Sequence, residues 1–145
     1  MTTADTAQHM VPLREGMFEM PDTIEGTPKL FGQRCTACKE VFNTTERVYC
    51  ANCSEEALER VTLGARGTVF SYTIVRQQLP GALVQAPYVM ARVKLPEGVT
   101  VQTIITDIEL EEVTIGMAVE ICLKQLTEDD EQRAVVNFFF RPAKT

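Results

Sequence analysis

From Gly64 onward the chain alternates apolar and polar positions with the two-residue period of half-buried strands. Residues 64–75 (GARGTVFSYTIV) predict a first strand, with Phe70, Tyr72 and Ile74 on one face and Val69, Ser71, Thr73 and Val75 on the other. A second strand is expected over 88–95. There Val89, Ala91, Val93 and Leu95 point one way, and Tyr88, Met90, Arg92 and Lys94 the other. Between them, Pro80-Gly81 and Pro87 mark residues 76–87 as a loop. Pro96-Glu97-Gly98 turns the chain into a third strand over 100–106. A helical turn over 107–112 and a break at Gly116 follow. A fourth strand is expected over 118–126 and, after the charged connection TEDDEQ, a fifth over 133–141. Five strands with a longer excursion between the third and fourth match the OB-fold pattern, although SH3-like barrels and small Greek keys share the count.

The stretch before this β-rich half carries different chemistry. Cys35-Thr-Ala-Cys38 and Cys50-Ala-Asn-Cys53 are two CxxC pairs. Each two-residue gap lets a tight turn aim both sulfurs at one point. Two such turns joined by a short hairpin make a tetrahedral four-sulfur cage that suits Zn²⁺. An iron site of the rubredoxin kind uses the same ligands and is not distinguished by spacing. Two disulfides are disfavoured by the absence of a secretion signal, and a thioredoxin-type pair by the absence of a βαβ context. Four thiolates close the coordination shell, so the ion is expected to be structural. Knuckles of this type usually carry glycine after the second cysteine; here Lys39 and Ser54 occupy those positions. The fifth cysteine, Cys122, falls on the polar side of the fourth strand, where it reads as a bystander or an interface residue.

The expected architecture is therefore mainly β: a leader over 1–29, a rubredoxin-like zinc ribbon over 30–62, and a five-stranded OB-fold barrel over 63–145. In the leader, Met17, Phe18 and Met20 are candidates to dock on the barrel or on a partner, and Thr2 to His9 is expected to be mobile.

Composition narrows the function. At 145 residues the chain is too short for a dinucleotide-binding enzyme with its own substrate domain or for a (β/α)₈ barrel. No apolar run approaches the roughly 20 residues of a membrane-spanning helix, and the first residues lack the basic head and apolar stretch of a secretory signal. A cytoplasmic location without membrane contact is expected. The formal charge of −6 repels phosphate backbones, and the only histidine is His9. Most histidine-based catalysis is thereby excluded.

The order of elements, ribbon first and barrel second, is uncommon. The runs LFGQRCTAC (30–38), YCANC (49–53), GARGTVFSYTIV (64–75), APYVMARV (86–93), IGMAVEI (115–121) and FRP (140–142) together resemble one family. This is the family of zinc-ribbon/OB-fold accessory proteins associated with thiolases and other acyl-CoA condensing enzymes. The resemblance implies a non-catalytic subunit of a hetero-oligomer. A thiolase-fold partner would carry the active-site cysteine and histidine, and this chain would stabilise it and help shape its acyl-CoA entrance.

An accessory subunit must show apolar surface to its partner. Phe138, Phe139 and Phe140 cannot all face a barrel interior, so Phe139 is expected in an outer stripe with Asn137 and Arg141. Packing beneath the ribbon or leader is the alternative for it. Leu79, Leu83 and Val84 in the 76–87 loop are further candidates for partner or acyl-CoA contact. Arg76 and Arg92 could meet a CoA phosphate, although solvated charge on an open strand face is the plainer reading. The competing function is single-stranded nucleic-acid binding, with Phe70, Tyr72, Tyr88 and Arg92 as a stacking platform. That reading requires a basic groove, whereas residues 64–145 hold more acidic than basic groups.

Overall fold

A computed structural model describes residues 10–143. The expected mobility of Thr2 to His9 falls outside them. Among the described residues ten strands form in chain order. β1 (Met10–Pro12), β2 (Phe18–Glu19), β3 (Lys29–Cys35), β4 (Val41–Phe42) and β5 (Leu58–Thr62) precede the barrel. β6 (Arg66–Val75), β7 (Tyr88–Lys94), β8 (Thr100–Ile105), β9 (Ala118–Glu128) and β10 (Ala134–Pro142) build it. The helical turn expected after the third barrel strand is a single 3-10 turn at Leu110–Glu112.

The barrel closes as β6–β7–β8–β10–β9 and back to β6. All of its pairs are antiparallel except β8 with β10, which touch in parallel through Ile105 and Phe140. That circuit is the OB topology. Gly67 opens it: a Cβ there would run into the Lys94 carbonyl and a Val93 methyl, so only glycine lets β6 and β7 approach so closely. At the β9–β10 connection the Asp129 carboxylate accepts from the backbone N–H groups of Glu131 and Arg133 and from the Arg133 guanidinium. The charged turn is thereby closed on itself.

Inside lie Val69, Val89, Ala91, Val93, Val101, Ile105, Val119, Ile121, Leu123, Val136, Phe138 and Phe140. This is the inward set that alternation predicts, with one break. Uninterrupted alternation along β6 separates Val69 from Tyr72 and Ile74. The structure pairs Val69 with Val93, Tyr72 with Ala91 and Ile74 with Val89, all on the inward side. A bulge between Val69 and Ser71 inserts the extra residue that flips the remaining strand. Phe70 sits at that bulge and is 56% exposed.

The ribbon half is not a separate appendage. β3 pairs with β2, β4 and β5. Its Leu30 and the neighbouring Phe18 and Leu63 belong to the same buried cluster as the barrel interior. Phe18 meets Phe138 edge-to-face at 6.0 Å, and Phe138 meets Phe140 likewise at 6.4 Å. Of the two destinations open to Phe18, the barrel is the one it takes. Gly32 allows the junction, because a Cβ there would strike the Phe42 carbonyl and the Leu63 methyls. On the other face of β3, Arg60 lies over the Phe31 ring at 4.3 Å.

Phe138 thus holds ribbon and barrel together. Phe138→Ala should cost about 3–5 kcal/mol. In urea melts, a fluorophore on either half should report the same lowered midpoint; separate midpoints would mean the two halves unfold independently.

Candidate metal centre and contact surface

β3 delivers Cys35 at its last residue, and the first knuckle turns immediately after it. The Cys35 N–H donates to the Glu40 carbonyl at 2.9 Å, and the Lys39 N–H donates back to the Cys35 carbonyl at 2.8 Å. The second knuckle repeats the pattern: Cys50 N–H to the Glu55 carbonyl at 2.9 Å, Ser54 N–H to the Cys50 carbonyl at 2.8 Å. Both turns need a left-handed residue, and it is Lys39 (φ 71°) in one and Ser54 (φ 70°) in the other. A side chain in that conformation costs about 1–2 kcal/mol relative to glycine.

The four sulfurs converge. Cys35 and Cys53 Sγ lie 3.6 Å apart, as do those of Cys38 and Cys50, and all four lie within 4.8 Å of one another. Metal–sulfur bonds of about 2.3 Å in a tetrahedron give sulfur–sulfur edges of about 3.8 Å. A disulfide would need about 2.05 Å. The donor set and its size therefore fit a structural Zn²⁺, and all four cysteines are free thiols.

Donors aim at the sulfurs as well. The backbone N–H groups of Asn52 and Cys53 point at Cys50 Sγ at 3.3 and 3.4 Å, that of Cys38 at Cys35 Sγ at 3.5 Å, and the Asn52 side-chain amide at Cys38 Sγ at 3.5 Å. The Asn52 amide, ahead of the backbone at Glu40, pulls Cys38 down to about 6. Cys53 goes the other way. The Glu55 backbone lowers it, but burial and the crowding of Cys35, Cys50 and Cys38 push it up to about 12. Four thiolates in one place thus resist ionising together without a cation.

Sequence reasoning missed Gln33. Buried on β3, it donates to the Arg47 carbonyl at 3.0 Å and accepts from the Arg47 N–H and the Thr44 hydroxyl, both at 3.1 Å. It stitches the link between the knuckles to the strand that carries the first of them. The available signal was a glutamine on the same side of β3 as Phe31 and Cys35.

The remaining candidates separate. Leu79, Leu83, Arg76 and Arg92 are exposed and Val84 is half-buried. The Gln78 side chain braces their loop from within, accepting from the Ala86 N–H at 2.6 Å. Arg92 lines a cleft of about 320 Å³ at the ribbon–barrel seam with Phe42, Asn43 and Gln102. The Asn43 amide there donates to the Thr100 carbonyl at 2.8 Å.

The exposure expected of Phe139 needs correction, and Cys122 lies with it. Both lie on the outer side, yet they are only 7% and 4% exposed. They face each other across the β9–β10 ladder. Ion pairs flank Cys122 on either side along β9: Glu120 with Arg141 at 3.1 Å, and Lys124 with Asp107 at 2.9 Å. Long paired side chains bury the short thiol between them, and Met90, Ile104 and Asn137 line the hollow beside Phe139. Phe139 is therefore not an exposed anchor. Burial, against the smaller pull of Arg141 and Lys124, pushes the Cys122 thiol up to about 11, which makes it a poor nucleophile. The described residues contain no histidine.

Residues 60–124 match the family model of the ChsH2 C-terminal OB-fold domain, and residues 27–78 match a NOB1 zinc-ribbon-like model. A DUF35 domain-containing scaffold protein of Methanocaldococcus jannaschii is 31% identical over 115 residues, spanning 78% of this chain and 81% of that one. The chain belongs to the DUF35 family. The benzoylsuccinyl-CoA thiolase subunit BbsA of Geobacter metallireducens is 30% identical over 129 residues, 86% of this chain and 85% of its own. Among solved structures, the Ltp2-ChsH2(DUF35) aldolase aligns with a TM-score of 0.64 at 29% identity, covering 80% of this chain and 86% of that one. No described helix is long and apolar enough to cross a membrane.

In this DUF35 chain the two left-handed knuckle residues are a local weakness with a simple remedy. Lys39→Gly and Ser54→Gly should each stabilise the metal-loaded protein by about 1 kcal/mol. Thermal melts at fixed zinc would show it; an unchanged or lowered midpoint would mean the side chains contribute more than the strain costs.

Proposed function

We propose that this DUF35 chain is a non-catalytic, zinc-stabilised subunit of a thiolase-type acyl-CoA acyltransferase complex. The observation that carries the reading is the likeness to BbsA over most of both chains. The chemistry agrees with it. Carbon–carbon bond formation or thiolysis needs an acylated nucleophile and a base. The free cysteine here is buried with its thiol pushed up to about 11. The partner subunit supplies the reacting groups, and this chain supplies surface that stabilises it and shapes the acyl-CoA entrance.

The contact surface is the loop 76–87 with the strands that bear it. Leu79, Leu83 and Val84 meet the partner, while Arg76 and Arg92 stand where CoA phosphates would enter, their planar guanidinium forks fitting phosphate oxygens. CoA is then held jointly by the two chains. In its finest form the reading assigns the partner to benzoylsuccinyl-CoA thiolysis in anaerobic toluene degradation, an assignment that rests on the BbsA likeness alone. Cytoplasmic acyl-CoA chemistry matches the reduced thiols that the metal centre requires.

The deciding experiment is co-purification of the tagged chain from its native cells. A thiolase-fold protein in stoichiometric amount is expected, and the isolated chain should show no thiolysis. Cys35→Ser should abolish zinc binding and release the partner, since zinc supplies about 10–16 kcal/mol in small modules of this kind. Recovery of a free monomer, or thiolysis by the isolated chain, would refute the reading; a partner retained after full zinc loss would refute the ribbon's share in it.

A further inference from the structure

β6 is paired with β7 from Thr68 to Val75, but with β9 only at Arg66, Gly67 and Thr68. Val69 adds the last contacts on the β9 side, donating to the Met117 carbonyl at 3.1 Å and accepting from the Gly116 N–H at 2.8 Å. The bulge then ends the pairing. From Phe70 to Val75 no described strand covers that edge. Open edges are templates for another strand, and proteins usually blunt them with charge or proline. Phe-Ser-Tyr-Thr-Ile-Val contains neither.

Two further observations coincide with this edge. Among the described residues of the barrel, the exposed large hydrophobics are Phe70, Tyr72, Leu79, Leu83 and Ile115. The first two lie on β6, the next two on the loop it leads into, and Ile115 precedes the Gly116 that bonds Val69. Charge is segregated to the same place. Residues 64–96 hold Arg66, Arg76, Arg92 and Lys94 and no acidic residue, in a chain of net charge −6.

We propose that the β6 edge from Phe70 to Val75 receives an extended strand of the catalytic partner subunit, bounded by acidic residues, so that the two proteins share one continuous sheet. The proposal rests on the accessory-subunit reading above and adds the mode and place of docking. Main-chain hydrogen bonds give such strand addition its affinity, and alternate side chains give it specificity. Apolar residues on the incoming strand meet Tyr72 and Ile74, and its acidic flank is drawn to the hairpin 64–96, which holds no acidic residue. A second copy of this chain is the poorer occupant, because it would bring two acid-free arms together, each with Arg76, Arg92 and Lys94 beyond the Glu120-paired Arg66.

The test is residue-resolved hydrogen exchange on the co-purified complex and on the chain alone. Only alternate amides of an edge strand face outward, the others being bonded already to β7. Protection at every second amide between 70 and 76 is therefore the expected result. Proline scanning supplies the second arm. Of Thr73→Pro and Ile74→Pro, the one that removes an outward N–H should leave zinc content and the thermal midpoint of the chain nearly intact and weaken the partner at least about tenfold. Uniform or absent protection in a complex that does contain the thiolase-fold subunit overturns the proposal and leaves the accessory reading standing. Absence of that subunit overturns the reading itself. A dimer of the chain alone that the edge proline dissolves gives the edge to a second copy. Saturable binding of a labelled single-stranded oligonucleotide that protects 70–76 gives it to nucleic acid. Either result also overturns the proposal.

Discussion

Four sulfurs within 4.8 Å of one another are a liability until a cation sits among them. Their environments differ: the Asn52 amide, ahead of the backbone at Glu40, draws Cys38 down to about 6, while at Cys53 burial and the neighbouring sulfurs outweigh the Glu55 backbone and drive the thiol up to about 12. A divalent ion removes that conflict and fixes two turns in space. The ribbon has little else to hold them, since β4 is two residues long and β5 five. Metal therefore substitutes for the core that so small a module lacks. Gln33 performs the matching task for the link between the knuckles, using one amide to pin three groups of Thr44 and Arg47.

The metal-held end is coupled to the barrel through side chains rather than through a linker. Leu30, Leu63 and Phe18 carry the barrel core into β2 and β3, and the Leu63 N–H bonds the Leu30 carbonyl at 2.7 Å. Phe18 and Phe138 meet at an edge-to-face angle, so a shift of β2 displaces an aromatic inside the barrel. The ribbon half is therefore packed into the barrel core rather than hung on a flexible tether.

Most of this was legible in the residue pattern, and the exceptions have physical causes. Cysteine spacing identified the metal ligands because a two-residue gap leaves few other geometries. Alternation placed all five barrel strands to within about two residues, the usual fraying of element ends. It failed along β6, where a bulge shifts phase without leaving a glycine or proline to announce it. It misjudged the exposure of Phe139, since alternation tells which side a residue faces and not what covers that side. The cover is two ion pairs, each joining a β9 residue next but one to Cys122 with a partner from another segment, and half-buried Met90 and Ile104 from other strands. The segregated charge was present in the sequence throughout. Counting it over the whole barrel mixed the acid-free hairpin with the acidic residues that follow and concealed it.

That segregation bears on how such a subunit finds its partner. An acidic body carrying one basic, apolar arm separates charge of opposite sign, and such a separation orients a molecule before contact. Steering of this kind acts on the rate of encounter more than on the final affinity. Affinity would come from what the arm offers at close range: exposed aromatic and leucine side chains, and main-chain groups without partners on one edge. The same features left bare in a monomer invite self-association. The cations of each copy's acid-free hairpin, Arg76, Arg92 and Lys94 beside the Glu120-paired Arg66, raise the cost of that association, while an acidic partner would lower it. With an acidic partner, the charge pattern would oppose self-association and favour the heteromeric pairing through the same residues.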